Sequence, residues 1–376
     1  MPSGDHPTAI VVGAGVWGAA TAAELIDRGW QVTMIEQWAP ANARGSSGDR
    51  TRMTRVGYSS DDEATDLWYA RSARGSAARW ADLEAQEGIS LLHPVELVWL
   101  AASEDGPERA LVDRLRAVGL EPEVIAPDRL PELFPAVNYE DLAFAVLEPE
   151  VAIIRATAAV EALIARAVRG GARLMLERAE PAAQSGSVRV GDRVLGADRI
   201  VWACGSWLGR LFPGEAPIAA TWQDVLHWHA RPCWRSAPAW FDEHAQVYGV
   251  PDLEGLGLTA ATHRPGRPLD PDLTHREVDQ AAVAAVSRYL ARRFPDLAEA
   301  ALVWGRVMPY EMTPDANFVI GFRPGDERSL IAGGGSGHGF KHALTVGQHV
   351  ADLIEGRASP VEMFALGPRM PKTISR

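Results

Sequence analysis

Three glycines, Gly13, Gly15 and Gly18, followed eighteen residues later by Glu36, have the spacing of a dinucleotide-binding turn. The apolar run Ala9 to Val12 reads as a buried strand and Val16 to Arg28 as a helix stopped by Gly29. Gln31 to Ile35 then reads as a second strand ending at the acid. Gly13 permits the tight turn, Gly15 lets backbone approach a pyrophosphate, and Gly18 lets the helix pack closely on the sheet. The helix N-terminus offers free N–H groups and the positive end of its dipole to phosphate. Val16, Trp17 and Gln37 flank these positions and are assigned to the same contact. A carboxylate at Glu36 accepts hydrogen bonds from ribose hydroxyls and repels a 2′-phosphate, so the pattern implies FAD or NAD and not NADP.

A second glycine loop separates those two. Gly333 to Gly339 holds five glycines in seven positions, fed by an apolar strand Leu330 to Ala332 and followed by a helix from Phe340 to Glu355. Such a loop lets backbone approach a flat ring, and the following helix aims its N-terminus at it. A reduced flavin carries negative charge near N1 and O2, which helix-end N–H groups stabilise as it develops. Gly335, Gly337, His338 and Gly339 are the candidate contacts.

The elements that must position these loops are spread along the chain. Asp62 to Glu87 reads as a long helix closed by Gly88, Leu91 to Leu100 as strand, and Glu108 to Val118 as a short amphipathic helix. Val146 to Ile154, a helix from Ala156 to Val168 and Arg173 to Leu176 read as a strand–helix–strand crossover. Arg189 to Val194 reads as a hairpin strand, and Arg276 to Phe294 as a helix. Ala197 to Trp207 reads as a buried strand ending in a small-residue turn, so Ala203, Gly205 and Trp207 fall where such sheets present ligands. Pro217 to Thr262 changes to alternating aromatic segments typical of antiparallel sheet. The fold class is therefore α/β: a discontinuous Rossmann-type cofactor domain (1–85, 146–212 and 306–376) and a mostly antiparallel substrate domain (86–145 and 213–305). This splicing favours a flavoprotein over a simple NAD dehydrogenase.

Totals narrow the class. A net charge of −12 argues against nucleic-acid or anionic membrane partners, and no apolar run reaches the roughly 20 residues of a membrane helix. Met1 to His6 lacks the pattern of a signal segment, so a cytoplasmic location is expected. Two cysteines, Cys204 and Cys233, exclude a disulfide scaffold, and no metal site is expected. His227 and His229 alternate as on a strand face. Trp222, Trp228, Trp234 and Trp240 read as core, or else as walls of a roomy aromatic pocket.

The chain resembles the FAD-dependent amine oxidoreductases of the D-amino-acid-oxidase superfamily, in particular the sarcosine oxidase and N-methyltryptophan oxidase branch. The resemblance spans nearly the whole chain. It is carried by Gly13 to Gly18 with Glu36, Gly45 to Arg55, Trp202 to Trp207, Tyr248 to Pro251, Met312 to Asp315 and Ser336 to Lys341. It implies a glutathione-reductase-type FAD domain under a catalytic sheet, with hydride transfer from the carbon beside a substrate amine to flavin N5. The imine then hydrolyses. Arg55 and Lys341 match the pair that grips a substrate carboxylate, which suits a guanidinium fork supported by a second cation. Arg52 is expected beside the isoalloxazine ring, Ser46 and Ser47 near the pyrophosphate, and Arg44, Thr54 and Lys341 among the other cofactor contacts. Tyr248, His263 and Tyr310 match pocket positions that wall the amine and tune its protonation.

Two positions depart from the branch. The cysteine that carries a thioether link to FAD is replaced by Met308, and no histidine stands between His6 and His93, so FAD is expected to bind non-covalently. The lysine that assists oxygen reduction is replaced by Thr259. Superoxide formation needs a nearby cation: either Arg52 or protonated His263 compensates, or the acceptor is molecular oxygen, used slowly, or another molecule. A flavin-binding protein without amine turnover is the alternative outside enzymology.

Overall fold

The computed structural model describes residues 6–253 and 255–371. The segment Met1 to Asp5, part of the stretch read as lacking a signal, lies outside the described residues. Among the described residues, seven α-helices run Val16–Asp27 (α1), Glu63–Glu87 (α2), Glu108–Ala117 (α3), Ala156–Arg169 (α4), Leu208–Leu211 (α5), Gln280–Arg293 (α6) and Ala343–Ile354 (α7).

A six-stranded sheet is ordered Val319–Arg323, Asp326–Gly333, Arg199–Trp202, Thr8–Val12, Gln31–Glu36, Arg173–Leu176. All neighbours are parallel except the first pair, a hairpin. Its strands are apolar because helices cover them: α1 packs on α4 and α7 beside it. Gly347 brings α7 against α1, since a Cβ there would stand 2.8 Å from the Ala20 carbonyl carbon. The carboxyl ends Val12, Glu36, Trp202 and Gly333 lie along one edge, where a sheet of this kind opens a crevice.

The second sheet has nine strands. Eight run in the order Leu302–Met312, Ala219–Trp228, Leu258–Thr262, Val247–Val250, Ala239–Asp242, Leu92–Ala101, Phe144–Arg155, Thr51–Met53, and Glu123–Ile125 pairs with 144–155. Only the contact between Ala239–Asp242 and Leu92–Ala101 is parallel. Phe144–Arg155, read as the first strand of a crossover, belongs here instead, laddered to 92–101. Leu302–Met312, which crosses the expected boundary between residues 305 and 306, pairs with Ala219–Trp228. Apolar alternation alone does not say which sheet receives a strand. A small three-stranded antiparallel sheet, Ala179–Pro181, Ser187–Val190 and Arg193–Gly196, completes the strands.

Local signals set some of the helix ends. Asp62 caps α2 by accepting the Thr65 N–H at 3.1 Å, and Gly88 closes it in the left-handed conformation. The helix expected from Arg276 begins at Gln280, where the Asp279 carboxylate accepts the Ala281 N–H at 2.8 Å. Arg276 instead stays in the loop and donates to the Arg44 carbonyl at 3.0 Å. Trp222, Trp228, Trp234 and Trp240 are all buried and none lines the main cavity, so they act as core and not as pocket walls.

Candidate active site

The crevice at the strand ends deepens into a cavity of about 1870 Å³, open solvent at its mouth included, that runs from Glu36 to Arg55 and Lys341. At its first end backbone stands nearly bare. Gly13 has φ +102°, and a Cβ there would lie 2.4 Å from the Ala203 carbonyl oxygen. Gly18 is behind this turn and not on the cavity wall; its missing Cβ leaves room for the Gly13 carbonyl, 1.9 Å from where that atom would be. Gly15 heads α1 without a side-chain cap, and the Ser47 hydroxyl oxygen accepts the Val16 N–H at 3.0 Å. The Ser46 hydroxyl is buried and finds no partner among the described residues. An open helix end beside two serines, one with spare hydrogen-bonding capacity, suits a phosphate.

Glu36 accepts the Ala14 N–H at 2.9 Å and the Trp38 N–H at 3.0 Å. Burial raises its pKa, against the pull of those backbone donors. Gln37, Ala203, Gly205 and Trp207 also line this end. The two glycine loops are tied together where Trp17 Nε1 donates to the Gly339 carbonyl at 2.9 Å. Arg44 leaves the wall to stack on Trp38, 4.8 Å from its ring. Thr54 turns away too: its hydroxyl accepts the Ala152 N–H at 2.7 Å in the strand ladder.

At the other end Arg52 is pinned from several sides. It donates to the Ser46 carbonyl at 2.8 Å, the Thr51 carbonyl at 2.6 Å, Asp49 at 3.2 Å and the Met308 sulfur at 3.5 Å. Arg55 is boxed by aromatic faces, its guanidinium carbon 5.1 Å from the Tyr58 ring, 5.2 Å from Trp99 and 5.5 Å from Phe241. Lys341 Nζ lies 4.5 Å from the same Tyr58 ring. The edge of His263 meets Phe241, Tyr248 and Tyr310, with ring centres 5.3, 6.3 and 6.0 Å apart. Burial pushes the Tyr310 phenol up to about 12 against the pull of Arg52 and Arg55, and it raises Tyr248 well above its ordinary value. Both are neutral donors at pH 7. Thr259 lines the wall, and its hydroxyl bonds His227 Nδ1 at 3.1 Å. Burial lowers His227 to about 4, so that ring is uncharged.

The structure adds residues that pattern reading passed over. Glu148, fully buried, accepts the N–H groups of Val56 and Gly57 and Trp99 Nε1. Burial raises its pKa against the pull of Val56, Trp99, Arg55 and Lys341. Its only signal was an acid, with Glu150 two residues on, inside an otherwise apolar strand. Asp49 is 4% exposed between Arg52 and Arg306. Glu311 accepts the Gly334 N–H at 3.1 Å beneath the second glycine loop. The side chain of His338 points away from the cavity, toward Tyr58 and the Ala316 carbonyl, so only its loop can serve a cofactor there.

Comparison with known proteins gives the family and the fold. The family described as FAD dependent oxidoreductase matches residues 8–353. Monomeric sarcosine oxidase of Streptomyces avermitilis is 29% identical over 94% of this chain and 96% of that protein. N-methyl-L-tryptophan oxidase of Yersinia pestis is 25% identical over 95% and 97%. Among solved structures, L-proline dehydrogenase from P. horikoshii superposes with a TM-score of 0.83 at 21% identity, over 96% of both chains. Glycine oxidase from Geobacillus kaustophilus gives 0.81 at 22%, over 97% of this chain and 100% of that one.

Glu311 offers a test by pH. Burial raises its pKa from 4.5 to about 7, so the folded state favours the protonated acid. Its contribution to stability is complete below 4.5 and is lost as pH rises through about 7. Denaturant unfolding should show the wild type losing stability relative to Glu311→Gln across that window. A pH-independent difference would contradict the burial.

Proposed function

The chain belongs to the FAD dependent oxidoreductase family, and on that premise we propose that it oxidises the C–N bond of an amino acid or N-substituted amino acid. The observation that carries this reading is the pair of cations, Arg55 and Lys341, both on the cavity wall and both against one Tyr58 ring. A carboxylate gripped there fixes the adjacent carbon and nitrogen, and fixed geometry accounts for much of the rate in such a reaction. FAD, when bound, supplies the two-electron acceptor. Gly13, Gly15, Ser46, Ser47 and Glu36 would hold its nucleotide arm, and Arg52, Met308 and the Gly335–Gly339 loop would border its ring.

The substrate amine must be neutral to be oxidised. The uncharged phenols of Tyr248 and Tyr310 and the ring of His263 surround the space beside the two cations. Hydrogen bonds from neutral phenols orient a lone pair without adding charge. An enclosed aromatic wall also disfavours an ammonium ion that lacks a carboxylate counter-charge. The relatives' names speak of sarcosine and N-methyl-L-tryptophan, and small or N-methylated amino acids head the list to try.

Anaerobic mixing with a panel of amino acids and N-methyl amino acids should bleach the flavin for at least one member. Arg55→Gln should raise KM for that substrate about 10- to 100-fold, with a smaller change in kcat. A full panel without bleaching would defeat the proposal.

Non-covalent attachment follows from the thiols. Cys204 is on the wall, but burial raises its pKa and its thiol donates to the Val12 carbonyl at 3.4 Å, while Cys233 is exposed elsewhere. Acid precipitation should leave yellow flavin in the supernatant; colour retained in the pellet would overturn this.

We also propose that molecular oxygen is a slow acceptor. Thr259 and its uncharged neighbour His227 offer no cation to a developing superoxide on their wall. Stopped-flow reoxidation in air should accelerate at least about tenfold in Thr259→Lys, and an unchanged rate would remove the argument.

A further inference from the structure

The turn from Arg55 to Tyr58 is held at both ends of one peptide unit's polar groups. Arg55 Nη1 donates to the Gly57 carbonyl at 2.5 Å, and the Gly57 N–H is shared by the two Glu148 oxygens at 3.2 Å each. Glu148 Oε1 also accepts the Val56 N–H, and Oε2 accepts Trp99 Nε1 at 2.9 Å. Every group bonded to this carboxyl is an N–H donor that cannot accept a hydrogen. A protonated Glu148 would aim its O–H at those donors. Burial raises its pKa, but the hydrogen bonds and the charges of Arg55 and Lys341 all favour the ionised form. The bonding geometry is that of a fixed anion.

We propose that Glu148 determines the substrate class by cancelling one of the two positive charges of Arg55 and Lys341, so that the site takes amino acids with a single carboxylate and excludes those whose side chain carries a second. The inference rests on the amine-oxidising reading above. Glu148 does not line the cavity and touches no substrate; it acts through its field on the two cations that do. All three groups are buried, so that field is weakly screened by water.

An amino acid with a neutral amine brings one negative charge, which matches the one left uncancelled. A second carboxylate would have to lie elsewhere on the wall. There it meets the apolar side chains of Met53, Val225, Phe241 and Val250, or the phenols of Tyr248 and Tyr310 that burial keeps neutral. Burying an unmatched carboxylate against such groups is costly. Arg52 offers no replacement, since Asp49 at 3.2 Å and the Ser46 and Thr51 carbonyls already occupy its donors. Arg306, beyond Asp49, does not line the cavity.

The test titrates the FAD-loaded protein with diglycolate and with diglycolate monoamide, following flavin absorbance. Both place an ether oxygen where an amino acid has nitrogen, so neither offers a C–N bond at that position. They match in size and differ by one charge. The wild type should bind the monoamide at least about tenfold more tightly. Glu148→Gln, which keeps the shape and loses the charge, should narrow that ratio at least about threefold. Glu148→Asp keeps the charge but not the reach to Gly57; it should weaken both probes and leave the ratio within about twofold of wild type. A purely structural role predicts the wild-type ratio in both variants, and that result overturns the proposal. Equal binding of the two probes by the wild type overturns it as well, and needs no variant to fold. Bleaching by an amino acid together with equal probe binding removes this inference alone. Neither probe binding removes it together with the carboxylate grip.

Discussion

A buried carboxylate organises the chemical end of this molecule. Glu148 is completely enclosed and yet well supplied with donors: two successive backbone N–H groups and an indole. Those backbone groups belong to the turn between Arg55 and Tyr58. Holding them sets the guanidinium toward the cavity and the phenol ring beneath Lys341. Gly57 is the residue that permits it, since a Cβ there would stand 2.7 Å from the carboxylate and 2.5 Å from Leu111. Removing such an anion would strand two cations and three donors in a region of low polarisability, which typically costs several kcal/mol.

The nucleotide end works by different physics. Its affinity is written in backbone: glycines that leave carbonyls and N–H groups uncovered, a helix end without a side-chain cap, and strand termini along one edge. The Trp17–Gly339 hydrogen bond joins this end to the second glycine loop, so the two halves of the crevice share one rigid frame. Between them, Arg52 is fixed by four separate acceptors before any ligand arrives, which lowers the entropic cost of using it.

The charge pattern of the cavity divides the labour. Cations gather at Arg52, Arg55 and Lys341, while the remaining wall is held neutral by burial, at Tyr248, Tyr310 and His227. A site of this kind recognises an anionic group at one point and handles the neighbouring atoms in an uncharged environment.

Much of this was legible in the residues alone. Gly13 to Gly18 with Glu36, and Gly333 to Gly339, encode local backbone geometry, and local geometry depends on neighbours in sequence. Arg55 and Lys341 could be paired only through resemblance, yet the structure does bring them to one ring. Arg44 and Thr54, by contrast, were drawn toward the cofactor by adjacency in a motif, and their side chains turn elsewhere. Val146 to Ile154 was read into a crossover of the cofactor sheet, whereas its strand pairs in the second sheet, because an apolar strand pattern is the same in either. Glu148 and the Tyr58–His338 contact were beyond reach for one physical reason. Val56 and Glu148 are 92 residues apart, and Tyr58 and His338 are 280 apart. Whether a charge or a histidine is buried, and what it is bonded to, depends on which distant segments pack around it. The sequence by itself determined the cofactor loops; only the tertiary structure decided where the charge behind them is balanced.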